Sequence, residues 1–540
     1  MQKQHSLMAP FFILLSTLVT FLILQPVSSY EAKPSSSPLQ NFLQCLSNHS
    51  NSALNNIYTP NSNNAFLTIL NTHTHNHRFT AATAPKPLAI LVARDESHVQ
   101  GTILCAKLHG IQIRIRSGGH DTEGLSYVSD VPFLILDMFA FDSVLVDIGT
   151  QTAWVQSGAT LGAVYYNIAK HSNLHGFPAG VCPTVGAGGH FSGGGYGNLM
   201  RKHGLSVDNI IDAKLVDVNG RILDRKSMGE DLFWAIRGGG GGSFGVILSW
   251  QIRLVPVTPK VTVFRVKRDI QNGATDVVYK WQVISSKLHE DLFVRAMFEV
   301  VNRTNSKTVE VTFVGMFLGQ TEPLIRLLNQ SFPELGLVQS DCNEMPWINS
   351  TLYWFNSPIG TPIEALVNAP RGPAPGYFKT MSDYVKQPIP KESLESIWNL
   401  MIKVEHVKME WNPYGGKMYE IPPTQTPFPH RSGNLFLIEY LTSWAEDGID
   451  ATNVYLNISR SFYEYMTPYV SHSPREAFLN YRDLNIGANN PSNVTRMDIA
   501  QIYGRKYFRD NLERLVYVKS KVDPDNFFRH EQSIPPLLLH

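Results

Sequence analysis

The period of apolar and polar positions changes several times along the 540-residue chain, and each change predicts an element. From Pro85, "LAILVA" is a continuous apolar run, "ESHVQGTILCAKLHG" repeats at helical spacing and closes on Gly110, and "IQIRIRSGG" alternates with period two. Such βαβ order predicts an α/β layer. Further on, "AKLVDVNGRILD" reads as two alternating runs joined by Asn219-Gly220, a hairpin turn that needs positive φ at both central residues. Past Val257 the order is different. "KVTVFRVKRD", "RAMFEVVN" and "TVEVTFVGMFLG" predict strands of an antiparallel sheet, and helices such as "LESIWNLMIKVEH" follow, an α+β arrangement running to about Ser471. The tail "DNLERLVYVKSKVDPDNFFRHEQSIPP" predicts a helix, a turn at Asp523-Pro524 and a docked aromatic end.

The length exceeds what one hydrophobic core usually serves, so two domains are expected. Residues 30–78 are polar and rich in Asn and Ser, with a short amphipathic helix around "LQNFLQCLS" followed by "NTHTHNHRF", read as a solvated loop because His73, His75 and His77 lack a fourth ligand. Ahead of them, Lys3 precedes the 17-residue run "MAPFFILLSTLVTFLIL", with small residues at Val27 and Ser29. This pattern predicts a secretory signal over residues 1–29; an uncleaved anchor is the alternative, although the run is short for a span. No later segment is apolar enough to cross a bilayer. With 46 basic residues against 45 acidic ones, no polyanion partner is implied and nucleic-acid binding is not expected. A secreted chain would offer its sequons at Asn48, Asn302, Asn329, Asn349, Asn457 and Asn493 for glycosylation. Its four cysteines, Cys45, Cys105, Cys182 and Cys342, allow two disulfides with three pairings.

Candidate chemistry gathers in three glycine-rich segments, "RSGGHDTEG" (116–124), "FPAGVCPTVGAGGHFSGGGYGNLMRKHGL" (177–205) and "RGGGGGSFG" (237–245). Glycine lets backbone N–H groups crowd against phosphate oxygens where a Cβ would clash. The last segment contains a formal G-x-G-x-x-G, Gly240 to Gly245, but it precedes a strand pattern when a dinucleotide fingerprint should follow one, so it is not read as such. His120 and Cys182 each have a bland reading as a polar group and a small hydrophobe. Flanked together by glycine cradles, they suggest two nucleophiles aimed at one large anionic cofactor.

The segments "RSGGHDTEGLSY", "PAGVCPTVGAGGHFSGGGYGNLMRKHGLSVDNI", "GEDLFWAIRGGGGGSFGV", "PFPHRSGNL", "LNYRDLNIG" and "DPDNFFRHEQSIPP" resemble the berberine bridge enzyme-like flavoproteins of plants, within the wider vanillyl-alcohol-oxidase group. The resemblance spans nearly all of the mature chain. It implies a two-part FAD-binding domain of the PCMH type, residues 30–256 plus 478–540, with a substrate domain of antiparallel sheet and helices, 257–477, inserted between them. It implies FAD bonded to both His120 and Cys182, within a cradle of Arg116, Ser117, Gly118, Gly119, Gly186, Gly189, His190, Gly193, Gly195, Gly197 and Asn526. It also pairs Cys45 with Cys105, which leaves Cys342 a free thiol without a role. Tyr481 matches a catalytic base of the family. A phenol with its usual pKa of about 10 needs a cationic neighbour for that role. Adjacent Arg482 would point to the opposite face of a strand. Tyr196 matches a pocket-wall aromatic, and Glu439 lies on a strand whose alternation places Leu437, Glu439 and Leu441 on one face, as a pocket carboxylate or a solvated residue.

Thr122 stands where many relatives carry tyrosine, and Leu437 where several carry a charge; both departures predict a roomier, more apolar substrate pocket, nearer cannabinoid-synthase-type or Diels–Alderase-type members. His530 replaces a usual asparagine. Val185 occupies a position that controls oxygen access, and a small side chain there favours oxidase behaviour. The resulting expectation is a secreted, monomeric oxidase, extracellular or vacuolar, passing hydride from a bulky prenylated phenol or alkaloid to flavin and electrons to O2, with H2O2 formed and cyclisation as a possible accompaniment. The alternatives are a non-redox cyclase, a carbohydrate or monolignol oxidase or dehydrogenase, and a binding protein that has lost activity.

Overall fold

Seven antiparallel strands form the sheet of the chain's second half, in the spatial order Cys342–Met345, Val261–Asp269, Lys307–Phe317, Leu292–Asn302, Val407–Pro413, Phe436–Trp444 and Tyr377–Val385. Period-two alternation gives this sheet two unlike faces. Val294, Ala296, Phe298, Trp411, Ile438 and Tyr440 point one way and join Trp281, Leu324, Trp398 and Phe462 in one core; the latter four belong to helices Ala274–Ile284, Thr321–Ser331, Lys391–Val404 and Ile449–Tyr465. Trp281, Trp398 and Trp411 are fully buried there, and truncating any one of them to alanine would cost about 3–5 kcal/mol. Arg295, Glu410, Glu439 and Leu441 project from the opposite face toward the first half of the chain.

The first half carries two smaller sheets. In one, Ala89–Val92, Phe133–Asp137 and Gln112–Arg116 run parallel, with Ile57–Tyr58 added antiparallel at the edge. Helix Glu96–Leu108 makes the crossover. The Asp95 side chain accepts from the Ser97 N–H at its start, and Gly110 at φ +66° turns the chain beyond its end. Helix Pro38–His49 packs on it and is pinned by a Cys45–Cys105 disulfide. The second sheet is antiparallel, Val144–Asp147, Thr152–Gln156, Val246–Arg253, Ile210–Val216 and Ile222–Leu223. Its last two strands are the predicted hairpin, but only Gly220 has positive φ. The Asp217 carboxylate accepts from the N–H groups of Asn219 and Arg221, so a side chain organises the turn instead of a second left-handed residue.

The returning segment adds helices Met497–Phe508 and Asn511–Val522, the latter packed on helix Arg225–Ile236. Lys519, fully buried, donates to the carbonyls of Ser243 and Phe528 and to Asp523, locking the tail onto the third glycine-rich segment. From Pro38 onward the chain is one compact α+β unit, and all seven strands of the large sheet lie within the predicted insert.

This computed structural model describes residues 37–537 except 63, 82, 305, 370–375 and 491–495. The expected leader and Asn493 therefore lie outside the described residues. Among those described, no helix is long and apolar enough to cross a membrane. Asn48, Asn302, Asn329 and Asn457 are exposed and Asn349 is partly buried.

One expectation is overturned outright. The loop "NTHTHNHRF" is not solvated: His73, His75 and Asn76 are 5%, 6% and 0% exposed. Asn76 Nδ2 donates to the carbonyls of Thr122 and Phe378, so this loop joins the first glycine-rich segment to the large sheet. Polar composition suggested water, but these polar atoms are satisfied within the fold.

Candidate active site

A cavity of about 720 Å³ runs between the glycine-rich segments and the polar face of the seven-stranded sheet, within the usual range of ligand sites, roughly 300–1,000 Å³. His120 and Cys182 both line it. They arrive from distant stretches and meet at one side chain: the Thr184 hydroxyl lies 3.0 Å from His120 Nε2 and 3.4 Å from Cys182 Sγ. His75 stacks on the His120 ring at 3.8 Å between centroids, while its own Nε2 lies 3.0 Å from the Gly118 carbonyl oxygen. Burial, then the neighbouring His75, holds His120 well below the usual histidine range, so its imidazole is neutral.

Ser117, Gly118, Gly119, Gly186, Gly189, Gly193 and Gly197 line the cavity with His190. The first two glycine-rich segments touch backbone to backbone, since a Cβ on Gly118 would stand 2.4 Å from the Gly186 nitrogen. Gly119, at φ +71°, would drive a Cβ to 1.9 Å from the His73 carbonyl oxygen, so both conformation and contact demand glycine. Burial lowers His190 to about 4, and its neutral Nε2 accepts from the Gly180 N–H.

The residues present fit a flavin dinucleotide. A Cβ on Gly189 would meet nothing within 4 Å, which leaves bare backbone open to the cavity. Ser157 Oγ and Arg482 Nη1 are buried in cavity-lining residues without a partner among the described residues, and Arg529 adds a cation nearby. Donors and cations beside exposed backbone are what phosphates and ring oxygens require.

Four assigned residues fall outside this lining. Arg116 is fully buried and spends its guanidinium on Asp137 and on the carbonyls of Ile69 and Leu70, so it clamps the parallel sheet instead of touching a cofactor. Gly195 turns at φ +71° against Ser206, behind the cavity wall. Asn526, at φ +53°, donates its N–H to the Asp523 carbonyl and turns the chain so that Arg529 and His530, further on, reach the lining. Leu437 shares a face with Glu439, as alternation predicts, but it is 1% exposed and sits in the core beneath. Thr122 does line the cavity, with its hydroxyl donating to the Arg482 carbonyl. Val185 lines it too. Cys342 lies elsewhere, half-buried, its thiol pushed up to about 11 by burial and neighbouring acids.

The wall opposite the cradle is polar. Glu439 pairs directly across from Glu410 in strand register. Arg295 reaches Glu410 Oε2 at 2.6 Å through Nη1 and donates to Asn412 Oδ1 at 2.6 Å through Nε. Tyr481 sits in a short 3-10 turn, Leu479–Tyr481, not in a strand, so the alternation argument about Arg482 does not hold. The hydroxyls of Tyr196 and Tyr481 lie 2.5 Å apart, and Glu439 is near enough for its charge to act on Tyr481. Burial, followed by the charge of Glu410, raises Glu439 to about 8. Burial, followed by Glu439, raises Tyr481 well above the usual phenol value, and Arg295 acts in the opposite direction. Sequence reasoning missed Arg295, Glu410, Thr184, His75 and Asn480, whose Nδ2 donates to the His190 carbonyl. The first two were legible only as polar residues within strand patterns, because which faces meet is a matter of tertiary assembly.

A glycine cradle with paired nucleophiles, facing a polar sheet across one cavity, defines an FAD-dependent oxidoreductase of the α+β PCMH type. Residues 87–225 match the family model for the FAD binding domain, and residues 477–535 match the model described as berberine and berberine like. Berberine bridge enzyme-like 3 of Arabidopsis thaliana is 54% identical over 518 residues, 95% of this chain and 96% of that protein. Among solved structures, BBE-like 28 from Arabidopsis thaliana superposes with TM-score 0.87 at 44% identity, covering 92% of this chain and 100% of that one. Phl p 4, a grass pollen allergen with glucose dehydrogenase activity, superposes with TM-score 0.87 at 42% identity, covering 92% and 99%. The chain belongs to the berberine bridge enzyme-like family.

Proposed function

We propose that this protein is a secreted oxidase of a hydroxyl-rich substrate, a carbohydrate or a monolignol-type alcohol, with FAD attached at both His120 and Cys182. The observation that carries this reading is the Tyr196–Tyr481 hydrogen bond with Glu439 interacting alongside, next to the Arg295–Glu410 pair. Two carboxylates, two phenols and a guanidinium facing a cavity are costly to desolvate unless the substrate brings hydroxyl groups to meet them. The expectation of an apolar pocket rested on Leu437 and Thr122; the first lies in the core and the second has its hydroxyl turned to a carbonyl.

FAD held by His120, Cys182 and the glycine cradle would supply a two-electron acceptor that O2 can reoxidise. The chain's own residues handle the proton: Tyr481 takes it from the substrate hydroxyl and passes its own to the Glu439 carboxylate, while Arg295 limits the negative charge that accumulates on the phenol. Tyr196 fixes the Tyr481 hydroxyl. Val185 supports the oxidase assignment, because a grass pollen relative known as a glucose dehydrogenase is a glucose oxidase when one isoleucine becomes valine.

Anaerobic mixing of the purified protein with sugars, monolignols, prenylated phenols and alkaloids tests this reading through the flavin absorbance. Sugars or monolignols should bleach it, and air should restore it with peroxide released. Bleaching by prenylated phenols or alkaloids alone overturns the substrate class. Product formation without bleaching points instead to a non-redox cyclase.

A further inference from the structure

We infer that Thr184 is the positioning residue that readies both flavin-attaching nucleophiles at once, through a single hydroxyl shared between His120 and Cys182. The inference rests on the double attachment proposed above.

The argument begins from hydrogen-bond capacity. A threonine hydroxyl has one proton to donate and lone pairs to accept with. Thr184 Oγ1 has two partners within reach, His120 Nε2 at 3.0 Å and Cys182 Sγ at 3.4 Å, and with one proton it can donate to only one of them. If it donates to Nε2, the neutral imidazole carries its proton on Nδ1, and neither ring nitrogen has a free lone pair. If it accepts from Nε2–H, Nδ1 carries the lone pair and the hydroxyl proton is free to be donated to Sγ, the atom that must lose its own proton to react. Only this second arrangement readies both nucleophiles. Which ring nitrogen carries the proton is set by the partner of the other. Among the described residues, Thr184 is the hydrogen-bonding partner of this ring, its hydroxyl lying at Nε2. His75, stacked on one face, holds the ring plane, and burial, with His75 adding to it, keeps the imidazole neutral.

Each attachment replaces a hydrogen on a flavin carbon. The N–C or S–C bond forms and the C–H bond breaks. One proton leaves the carbon and one leaves the nucleophile, and the two electrons released pass to dioxygen, which becomes hydrogen peroxide. Thr184 acts before that exchange, by deciding where the nucleophile's proton resides.

The test is peptide mass spectrometry on protein denatured in acid and digested, comparing the flavin loading of the His120 and Cys182 peptides over time after apoprotein is mixed with FAD and air. Thr184→Val should slow loading at both peptides about tenfold, the loss expected when one hydrogen bond to each nucleophile disappears. Thr184→Ser, which keeps the hydroxyl, should load within about twofold of the parent. If the valine variant does not fold, Thr184→Ala carries the same expectation. Parental loading without the hydroxyl, or loss at one peptide only, overturns the shared role. A parent protein with flavin on neither peptide would instead sink the double attachment itself, so the two failures are distinguishable.

Discussion

Replacing Glu439 with glutamine probes the centre of the proposed chemistry through two separate measurements. Burial and the facing Glu410 raise this carboxyl from its ordinary 4.5 to about 8, so the folded chain holds the proton more tightly than the unfolded chain does. The stability consequence has a definite sign. Below about pH 4.5 the carboxyl is neutral in both states and costs nothing; as pH climbs toward about 8 the unfolded chain releases the proton first, and the folded state loses stability progressively. The full gap between 4.5 and 8, at about 1.4 kcal/mol for each tenfold, sets a ceiling near ~5 kcal/mol. Water reaching the carboxyl through the cavity screens the charge, and about 2 kcal/mol is the working expectation. Glu439→Gln removes the titration, so its melting temperature should match the parent at about pH 4 and exceed it at about pH 9. Turnover should move oppositely. In the parent, kcat/KM should rise as Glu439 ionises around pH 8, whereas the variant should lose that rise and fall about 10²- to 10⁴-fold, the range of a lost general base. Equal melting shifts at both pH values, or a parental rate flat across that interval, would refute the assignment.

Arg295→Met removes the cation that opposes the raised Tyr481 pKa; turnover should fall about tenfold or more, with the apparent alkaline pKa of the rate profile moving up, as steady-state kinetics across pH would show. Cys45→Ser opens a loop of 60 residues and should lower stability by about 4 kcal/mol in the chain-entropy model, read from denaturant midpoints, while absorbance of the bound flavin stays parental because neither cysteine lines the cavity.

Local periodicity carried much of the architecture. The parallel layer with its capped crossover helix, the long antiparallel strands and the docked tail each follow from spacing that a single segment contains. Two nucleophiles and their glycine cradle were legible for the same reason: chemistry concentrated in short motifs survives without knowledge of the fold. What escaped depends on meetings between segments. The histidine-rich loop reads as polar and therefore wet, yet Asn76 bonds Phe378, 302 residues away, and burial follows from that contact. Arg116 borders a glycine pair and was assigned to the cofactor cradle, but its side chain turns to Asp137 in the neighbouring strand. Leu437 obeyed alternation, and alternation could not say how deep along the strand the cavity reaches.

The returning segment explains why the site needs both halves of the chain. Within a few residues, Asn480 bonds the His190 carbonyl, Tyr481 meets Tyr196 and Glu439, the Arg482 carbonyl accepts from Thr122, and Asp483 takes a bond from buried Lys379, which also pairs with Glu123. Every partner belongs to the glycine cradle, the His120 loop or the large sheet. The proposed proton acceptor, Tyr481, thus has its position over-determined by three separate elements, and such fixing by rigid surroundings is what a catalytic group needs to keep reacting atoms in register. Loosening any one element should then act on turnover more than on substrate affinity, because the geometry that suffers is that of the proton transfer and not that of the cavity walls.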